Sequence, residues 1–196
     1  MGLVYLAGAI TPVGMLVTYA VLLTVLAVTA WLTLRSPIDE DEGEFPPTFF
    51  AVGLLLLIII AVLLRIWGNQ YSDLQGDEAE VLFRATRLIL GSENSLVTHS
   101  KGPAEILIVS AFGALTGRFD EFTVRLPFAL ASVGGVAGTT LLGWQLFGSL
   151  AGLVTGGLLA VNGVFVTYAR TAQYQSLMLL SVSYTHLRAH ETRYTI

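Results

Sequence analysis

Charged side chains are missing from three long stretches of the chain. No Asp, Glu, Lys, Arg or His occurs in residues 1–34, 49–64 or 126–169. A helix that crosses the hydrocarbon of a bilayer needs about 20 mostly apolar residues, because its backbone groups must be hydrogen-bonded within the segment. The pattern therefore predicts an all-α, polytopic integral membrane protein.

The length of each charge-free stretch predicts how many membrane-spanning helices it forms. Residues 126–169 would extend about 66 Å as one helix at 1.5 Å per residue, which is too long for one crossing, so we expect a hairpin there. The predicted spans are Val13–Leu34, Phe49–Trp67, Leu126–Phe147 and Leu150–Tyr168. The hairpin should turn at Gly148 and Ser149, and Pro127 should lie in the first turn of its helix, where proline is tolerated.

Two shorter helical patterns lie between the second and third spans. The polar residues of DEAEVLFRATRLILG recur at spacings of three, four and three: Asp77, Glu80, Arg84 and Arg87. This stripe predicts an amphipathic helix in the membrane interface, ended by Gly91. In AEILIVSAFGALTG, about twelve uncharged residues follow Glu105, which are too few for a comfortable span. We expect an interfacial or re-entrant helix there, with a short transmembrane pass as the alternative.

Composition narrows the class of protein further. Hydrophobic residues make up 54% of the 196 positions and charged residues 12%, whereas soluble domains carry about twice that charge. The net charge is −4 and no basic run could follow a phosphate backbone, which excludes nucleic-acid binding. The chain has no cysteine, which excludes disulfides, thiolate metal sites and cysteine nucleophiles.

The last fourteen residues differ from the rest of the chain. An apolar helix, Tyr174–Val182, is predicted to give way at Ser183 to SYTHLRAHETRYTI. This string resembles the translated read-through of a sequencing adapter. We therefore treat residues 183–196 as a non-native tail, and we expect His186 and His190 to form no metal site.

Asp77 and Glu78 are adjacent acids at the start of the amphipathic helix. Asp77 with Glu80 matches a capping box, and acids favour the positive end of a helix dipole. A carboxylate at a dry, lipid-adjacent surface also has a raised pKa and can act as a general base. Both roles remain open, and Glu78, which lies off the polar stripe, needs another partner.

Several basic side chains stand at the ends of the predicted apolar helices. Lys101, in THSKGP, is either an interfacial snorkelling lysine or a point charge placed for a phosphate. Arg125 in VRLP and Arg170 in TYAR are each most simply interface anchors. His99, beside Lys101, is a lone histidine in a polar loop.

The order of these motifs resembles a known family. The series is GDEAE, SKGPAE, FGALTG, FTVRLPFALA, WQLFGSLAG and FVTYARTAQYQSL. It is similar to the N-terminal part of the polytopic GT-C glycosyltransferases that use polyprenyl-phosphate sugars, which include the protein O-mannosyltransferases and the lipid A aminoarabinose transferase. The resemblance covers roughly residues 50–182. It implies a membrane glycosyltransferase that moves a hexose or pentose, with inversion, from a polyprenyl-phosphate donor to a lipid, glycan or protein acceptor.

The resemblance also implies roles for particular residues. Asp77 or Glu78 would be the general base that takes the proton of the incoming nucleophile. Cations would stabilise the phosphate leaving group: Lys101, Arg125, Arg170 and Arg84. The apolar spans would hold the lipid tail of the donor.

The chain departs from the family pattern at three places. Gly102 replaces the first proline of the Lys-Pro-Pro motif, and Glu80 stands where many members have a basic or aromatic residue. Gln173 or Gln175 occupies the stretch where many members carry a second acid. A divalent metal is therefore not supported by the residues, and no cofactor is expected.

The resemblance divides the chain into three parts. Residues 1–48 hold an extra N-terminal transmembrane helix and an acidic linker, residues 49–182 the N-terminal part of a glycosyltransferase membrane domain, and residues 183–196 the tail. We expect more spans to follow Val182 in the natural protein, and the present stretch alone to be inactive.

Orientation is the point on which two rules disagree. The resemblance implies a multi-pass protein of the cell membrane with its active site on the outer face, so that the inner loop would offer Arg35 among five acids. The positive-inside rule predicts the reverse. We expect the family orientation, because cations that bind phosphate serve the site rather than insertion.

Two other functional classes remain open. A transporter fragment predicts ionisable residues inside the spans, and residues 126–169 contain none. A non-catalytic polytopic membrane subunit would use every charge as an anchor, and only the order of the motifs opposes it.

Overall fold

The computed structural model describes residues 46–74, 76–91, 96, 99 and 101–193, with the side chains of 188 and 190–193 left out. The predicted span Val13–Leu34 and nearly all of the acidic linker lie outside the described residues. In the described part every regular element is a helix and no strand occurs, which confirms the all-α prediction. Its helices are α1 (Pro47–Ile66), α2 (Asp77–Ile89), α3 (Ala104–Thr116), α4 (Glu121–Phe147), α5 (Ser149–Val161), α6 (Gly163–Ala169) and α7 (Gln175–Arg193).

Two of the described helices, α1 and α4, are long and apolar enough to cross a membrane. The pair α5 and α6, which meet at an angle of 64°, makes a third if it counts as one broken span. Helix α3 has 13 residues and ends at Gly117, which adopts a left-handed conformation with φ 66°. It is as short as its sequence predicted.

Helix α4 begins at Glu121 rather than at the predicted Leu126. Asp120 caps it by accepting the Thr123 N–H at 2.8 Å. Pro127 therefore lies in the second turn, inside the helix, and its predicted place in the first turn is wrong. The reason is that the absence of charge marks only the apolar part of a helix, whereas polar residues extend α4 beyond it.

The second arm of the predicted hairpin is broken at Asn162. The turn at Gly148, with φ 89°, is confirmed. A single helix from Leu150 to Tyr168 is wrong, because Asn162 is extended and its Oδ1 accepts the N–H groups of Val164 and Phe165 at 3.0 and 3.3 Å. Asparagine is among the strongest N-cap residues, so it starts a new helix here.

Buried Arg65, in the last turn of α1, supports this break. Its guanidinium donates to the carbonyl oxygens of Ala160 at 2.8 Å and Leu159 at 3.1 Å, while its Nε donates to the Ser132 hydroxyl at 2.9 Å. A broken helix leaves carbonyl groups without intrahelical partners. Arg65 satisfies two of them inside the protein.

The apolar side of α2 packs into the protein. Val81 and Ala85 are buried with Ile106 of α3 and Phe128 of α4 in one hydrophobic core. An amphipathic helix that lies in the membrane interface would turn its apolar side toward lipid. Leu82 and Leu88 also pack against this core, so protein covers the apolar side along the helix, whereas Ile89 remains exposed.

Helix α7 continues without interruption through Ser183 to Arg193. The predicted end of the helix at Ser183 is wrong, because the residues that follow include neither glycine nor proline and permit helix. The Ser183 hydroxyl lies 3.1 Å from that of Thr139 on α4. The predicted non-native origin of residues 183–196 is a separate matter and stays a prediction.

Candidate functional site

Helix ends from several parts of the chain meet at one end of the protein. The first turn of α2 and the start of the second turn of α4 are joined by an ion pair between Glu78 and Arg125. The first turn of α3 contacts the segment before α7, since Glu105 accepts the Tyr174 N–H. Glu78 and Glu105 lie in the first turns of α2 and α3, at the helix ends that bear a partial positive charge.

Arg125 is buried and all five of its N–H groups have acceptors. Its Nε and one Nη donate to the two Glu78 oxygens at 2.8 Å each. The remaining hydrogens reach backbone carbonyls of the α1–α2 connection: Asn69, Ser72 and Asp73 at 3.0, 2.9 and 3.4 Å. Arg125 thereby holds this connection in place. Its predicted role in binding phosphate gains no support from this arrangement and stays a prediction.

Glu78 makes one further contact, which links it to the segment between α6 and α7. Its Oε1 accepts the backbone N–H of Ala172 at 2.9 Å. Both carboxylate oxygens are therefore engaged within the protein. The partner that Glu78 was expected to need is Arg125, which lies too far along the chain for local spacing to reveal it.

Asp77, by contrast, lies at the surface. Gly76, rather than Asp77, is the N-cap of α2 and makes no side-chain cap, so the predicted capping box is wrong. The Asp77 side chain is 54% exposed and its Oδ2 forms an ion pair with Lys101, whose side chain is 27% exposed. Gln173 donates to the same oxygen at 3.4 Å. We call these three residues the Asp77–Lys101–Gln173 cluster.

The pairing changes the acid–base properties of Lys101. The hydrogen bond with Asp77 is the main cause that raises the pKa of Lys101 above its ordinary value, and the charges of Asp77 and Glu105 act in the same direction. Lys101 therefore remains a cation throughout the physiological pH range. Local sequence does not show this acidic partner, because α2 brings Asp77 to Lys101 from 24 positions away.

Arg170 and Arg84 lie outside this cluster. Arg170 donates to the carbonyls of Trp67 and Gly68 at 3.1 and 2.7 Å, which joins the end of α6 to the end of α1. Arg84 pairs with Glu80 at 2.8 Å, one turn apart on α2. The structure thus brings Asp77 and Lys101 together but not all four predicted phosphate-binding cations.

The ring of Tyr71 lies close to the guanidinium groups of both Arg125 and Arg170. The guanidinium carbons of Arg125 and Arg170 are 4.8 and 5.0 Å from its centroid. Cations are attracted to the face of an aromatic ring. The Tyr71 ring therefore favours the presence of the two guanidinium groups close to each other.

A second acid, Glu105, is buried nearby. Its side chain is 1% exposed, its Oε2 lies 3.1 Å from Nε2 of His99, and its Oε1 accepts the Tyr174 N–H at 2.5 Å. The other ring nitrogen of His99 has no hydrogen-bond partner among the described residues. Within the described residues, Glu105 is therefore the hydrogen-bond partner of the His99 ring.

Sequence reasoning overlooked Glu105, Arg65 and the contact of Gln173 with Asp77. An acid at the start of an apolar helix is the single available signal for Glu105, and it equally indicates a favourable interaction with the helix dipole.

Within the described residues, no group of three His, Asp or Glu side chains is arranged to hold a metal ion. Comparison of the chain with models of known protein families, with curated proteins and with solved structures finds no match.

Proposed function

We propose that the chain belongs to a membrane glycosyltransferase that transfers a sugar from a polyprenyl-phosphate donor, with Asp77 as the general base. One observation carries the proposal. An accessible carboxylate and a lysine cation face each other in the Asp77–Lys101–Gln173 cluster, at the end of a largely apolar helical protein. Inverting sugar transfer from a lipid phosphate needs a base and a cation at such a surface.

The roles follow from the charges in the reaction. An acceptor hydroxyl or amine attacks the anomeric carbon, its proton passes to the Asp77 carboxylate, and the bond from that carbon to the phosphate oxygen breaks. Polyprenyl phosphate leaves with the electron pair of that bond. Lys101 stabilises the negative charge that develops on it.

The contrast between the adjacent acids supports Asp77 rather than Glu78 as the base. Glu78 is buried, and its two oxygens already accept three hydrogen bonds from Arg125 and Ala172. A general base must come within hydrogen-bonding reach of the proton that it abstracts. Asp77 is more than half exposed, so an acceptor has access to it.

The proposed setting is the outer face of the cell membrane. Helices α1 and α4, with or without the bent pair α5 and α6, would cross the bilayer and accompany the lipid tail of the donor. The reacting ends of donor and acceptor would meet at the cluster. The sequence motifs are the basis for this orientation.

Sugar transfer by reconstituted protein tests the proposal. The protein expressed from its complete gene is placed in proteoliposomes with radiolabelled polyprenyl-phosphate hexoses and pentoses and a membrane extract that supplies acceptors. Asp77→Asn should lower transfer about a hundredfold to ten-thousandfold, as expected when a general base is removed. Asp73→Asn is the matched control, because Asp73 is also exposed and only its backbone carbonyl meets Arg125.

Two results would overturn the proposal. One is full activity of Asp77→Asn, and the other is folded wild-type protein that transfers no sugar from any of these donors. Retained donor binding by Asp77→Asn, measured by photo-crosslinking to a polyprenyl-phosphate analogue, would show that the loss concerns the chemical step.

A further inference from the structure

The buried pair of His99 and Glu105 is not used by the proposed reaction. The two side chains are 4% and 1% exposed and form a direct hydrogen bond at 3.1 Å. Burying a carboxylate is costly unless it is paired and hydrogen-bonded. Loss of a hydrogen-bond partner of Glu105 should therefore destabilise the protein.

The first of the two partners of Glu105, the His99 ring, anchors the turn that carries Lys101. His99 stands two positions before Lys101, and its carbonyl accepts the Gly102 N–H at 3.3 Å. Gly102 has φ 91°, a conformation that suits glycine and that lets the chain turn here. The lysine thus lies in a tight turn held to Glu105 by the His99 ring.

The second partner of Glu105, the backbone N–H of Tyr174, anchors the segment that carries Gln173. Glu105 accepts the N–H of Tyr174 at 2.5 Å, and Glu78 accepts the N–H of Ala172 at 2.9 Å. Two buried carboxylates therefore hold the backbone immediately before and after Gln173. This arrangement directs the Gln173 amide to Asp77.

We propose that His99 and Glu105 are positioning residues that hold Lys101 and Gln173 against Asp77. Glu105 joins the two segments that supply these partners, and His99 links it to the lysine turn. The consequence for catalysis rests on the proposed function, whereas the positioning of Lys101 is tested without it.

Chemical labelling reads Lys101 directly, because it is the only lysine of the chain. Amine reagents attack the neutral amine, and the pairing with Asp77 raises the pKa of Lys101. The labelling rate at fixed pH, followed by peptide mass spectrometry, therefore rises about tenfold for each unit by which this pKa falls. Asp77→Asn is the reference variant and should label faster than wild type.

His99→Ala should raise the labelling rate about threefold to tenfold, toward that of Asp77→Asn. His99→Gln should label nearly as wild type, since its amide can still donate to Glu105. In the double variant, His99→Ala should add nothing to Asp77→Asn. Thr116→Ala, at the other end of α3, is the matched control and should label as wild type.

Glu105→Gln provides a second route if His99→Ala does not fold. Its amide keeps one oxygen for Tyr174 but replaces the acceptor that faces His99 with a donor, so it should also speed the labelling of Lys101. Loss of the Glu105 charge alone also lowers the pKa of Lys101, but that effect should be the same in the Asp77→Asn background, whereas lost positioning should speed labelling more when Asp77 is present. Wild-type rates in the folded members of this pair, with faster labelling of Asp77→Asn, would overturn the positioning role.

The transfer assay adds the catalytic consequence. His99→Ala should raise the donor KM about tenfold with a smaller change in kcat, and this effect should vanish in a Lys101→Ala background. Full additivity of the two substitutions would contradict action through Lys101. Absence of transfer by wild type would reject the proposed function, while the labelling rates would still decide the positioning role.

Discussion

The Arg125 guanidinium and the Glu78 carboxylate form a buried ion pair with two hydrogen bonds of 2.8 Å, between residues 47 positions apart. The residue before Glu78, Asp77, points instead to the surface and meets Lys101. Two adjacent acids thus have different environments. We expect them to differ in what they contribute to stability and to chemistry.

Removing the Glu78 carboxylate should destabilise the protein far more than removing the Asp77 carboxylate. Glu78→Ala should lower the free energy of unfolding by about 3–5 kcal/mol, because it leaves the Arg125 charge buried without its partner. Asp77→Ala should cost about 1 kcal/mol or less, because its ion pair is exposed to solvent. Denaturant unfolding in detergent micelles measures both.

Equal destabilisation by the two variants would contradict this difference. The double variant of Glu78→Ala with Arg125→Ala is a useful control, since it removes both charges. It should be less destabilised than the sum of the single variants, because no unpaired charge remains.

Lys101 should matter for the donor rather than for folding. Lys101→Ala should reduce kcat/KM for a polyprenyl-phosphate sugar about tenfold to a hundredfold, which is the loss of a charged hydrogen bond of roughly 1.5–3 kcal/mol. Lys101→Arg should recover part of it. Wild-type transfer by both variants would leave Lys101 as an interfacial anchor.

Asp120 should make the start of α4 sensitive to acid. Its hydrogen bonds with Thr123 are the main cause that holds the pKa of Asp120 below its ordinary value, and Arg118 adds to this effect. A folded-state pKa below the unfolded one stabilises the protein above about pH 4, and this stabilisation is lost as the pH falls through the folded-state pKa.

Thermal melting of wild type and Asp120→Asn across pH 2.5–7 checks this. Asparagine caps a helix about as well but does not titrate. Wild type should be the more stable protein at pH 7, and the difference in Tm should shrink below about pH 4. A difference that stays constant over the whole range would argue against a titrating cap.

Two glycines offer a matched test of the α4–α5 contact. A Cβ on Gly152 would lie 2.6 Å from the Thr140 carbonyl oxygen and 2.7 Å from the Trp144 nitrogen, both backbone atoms that cannot move aside. Gly152→Ala should destabilise the protein by about 1–3 kcal/mol. Gly163→Ala, which meets nothing within 4 Å, should be neutral or stabilise by up to about 1 kcal/mol. Tm values in the reverse order would exclude this packing.

The positions of the helices followed from the sequence, but several boundaries did not. The length of charge-free stretches predicted α1, the turn at Gly148 and the short α3, because the length and polarity of a helix are local properties. The break at Asn162 was missed, since an asparagine in an apolar run is compatible with either continued helix or a new cap. The start of α4 was also placed late, because polar residues can extend an apolar helix.

The sequence by itself determined the residue types available to the site and the approximate positions of the helices that carry them. It could not decide which acid is buried, because this depends on Arg125, which only the packing of α2 against α4 brings to Glu78. The same holds for Lys101, whose partner Asp77 belongs to another helix. Local patterns set by backbone hydrogen bonding are readable within a few turns, whereas burial and charge pairing arise between distant segments. The tertiary structure alone therefore decided that Asp77 is the accessible member of the pair.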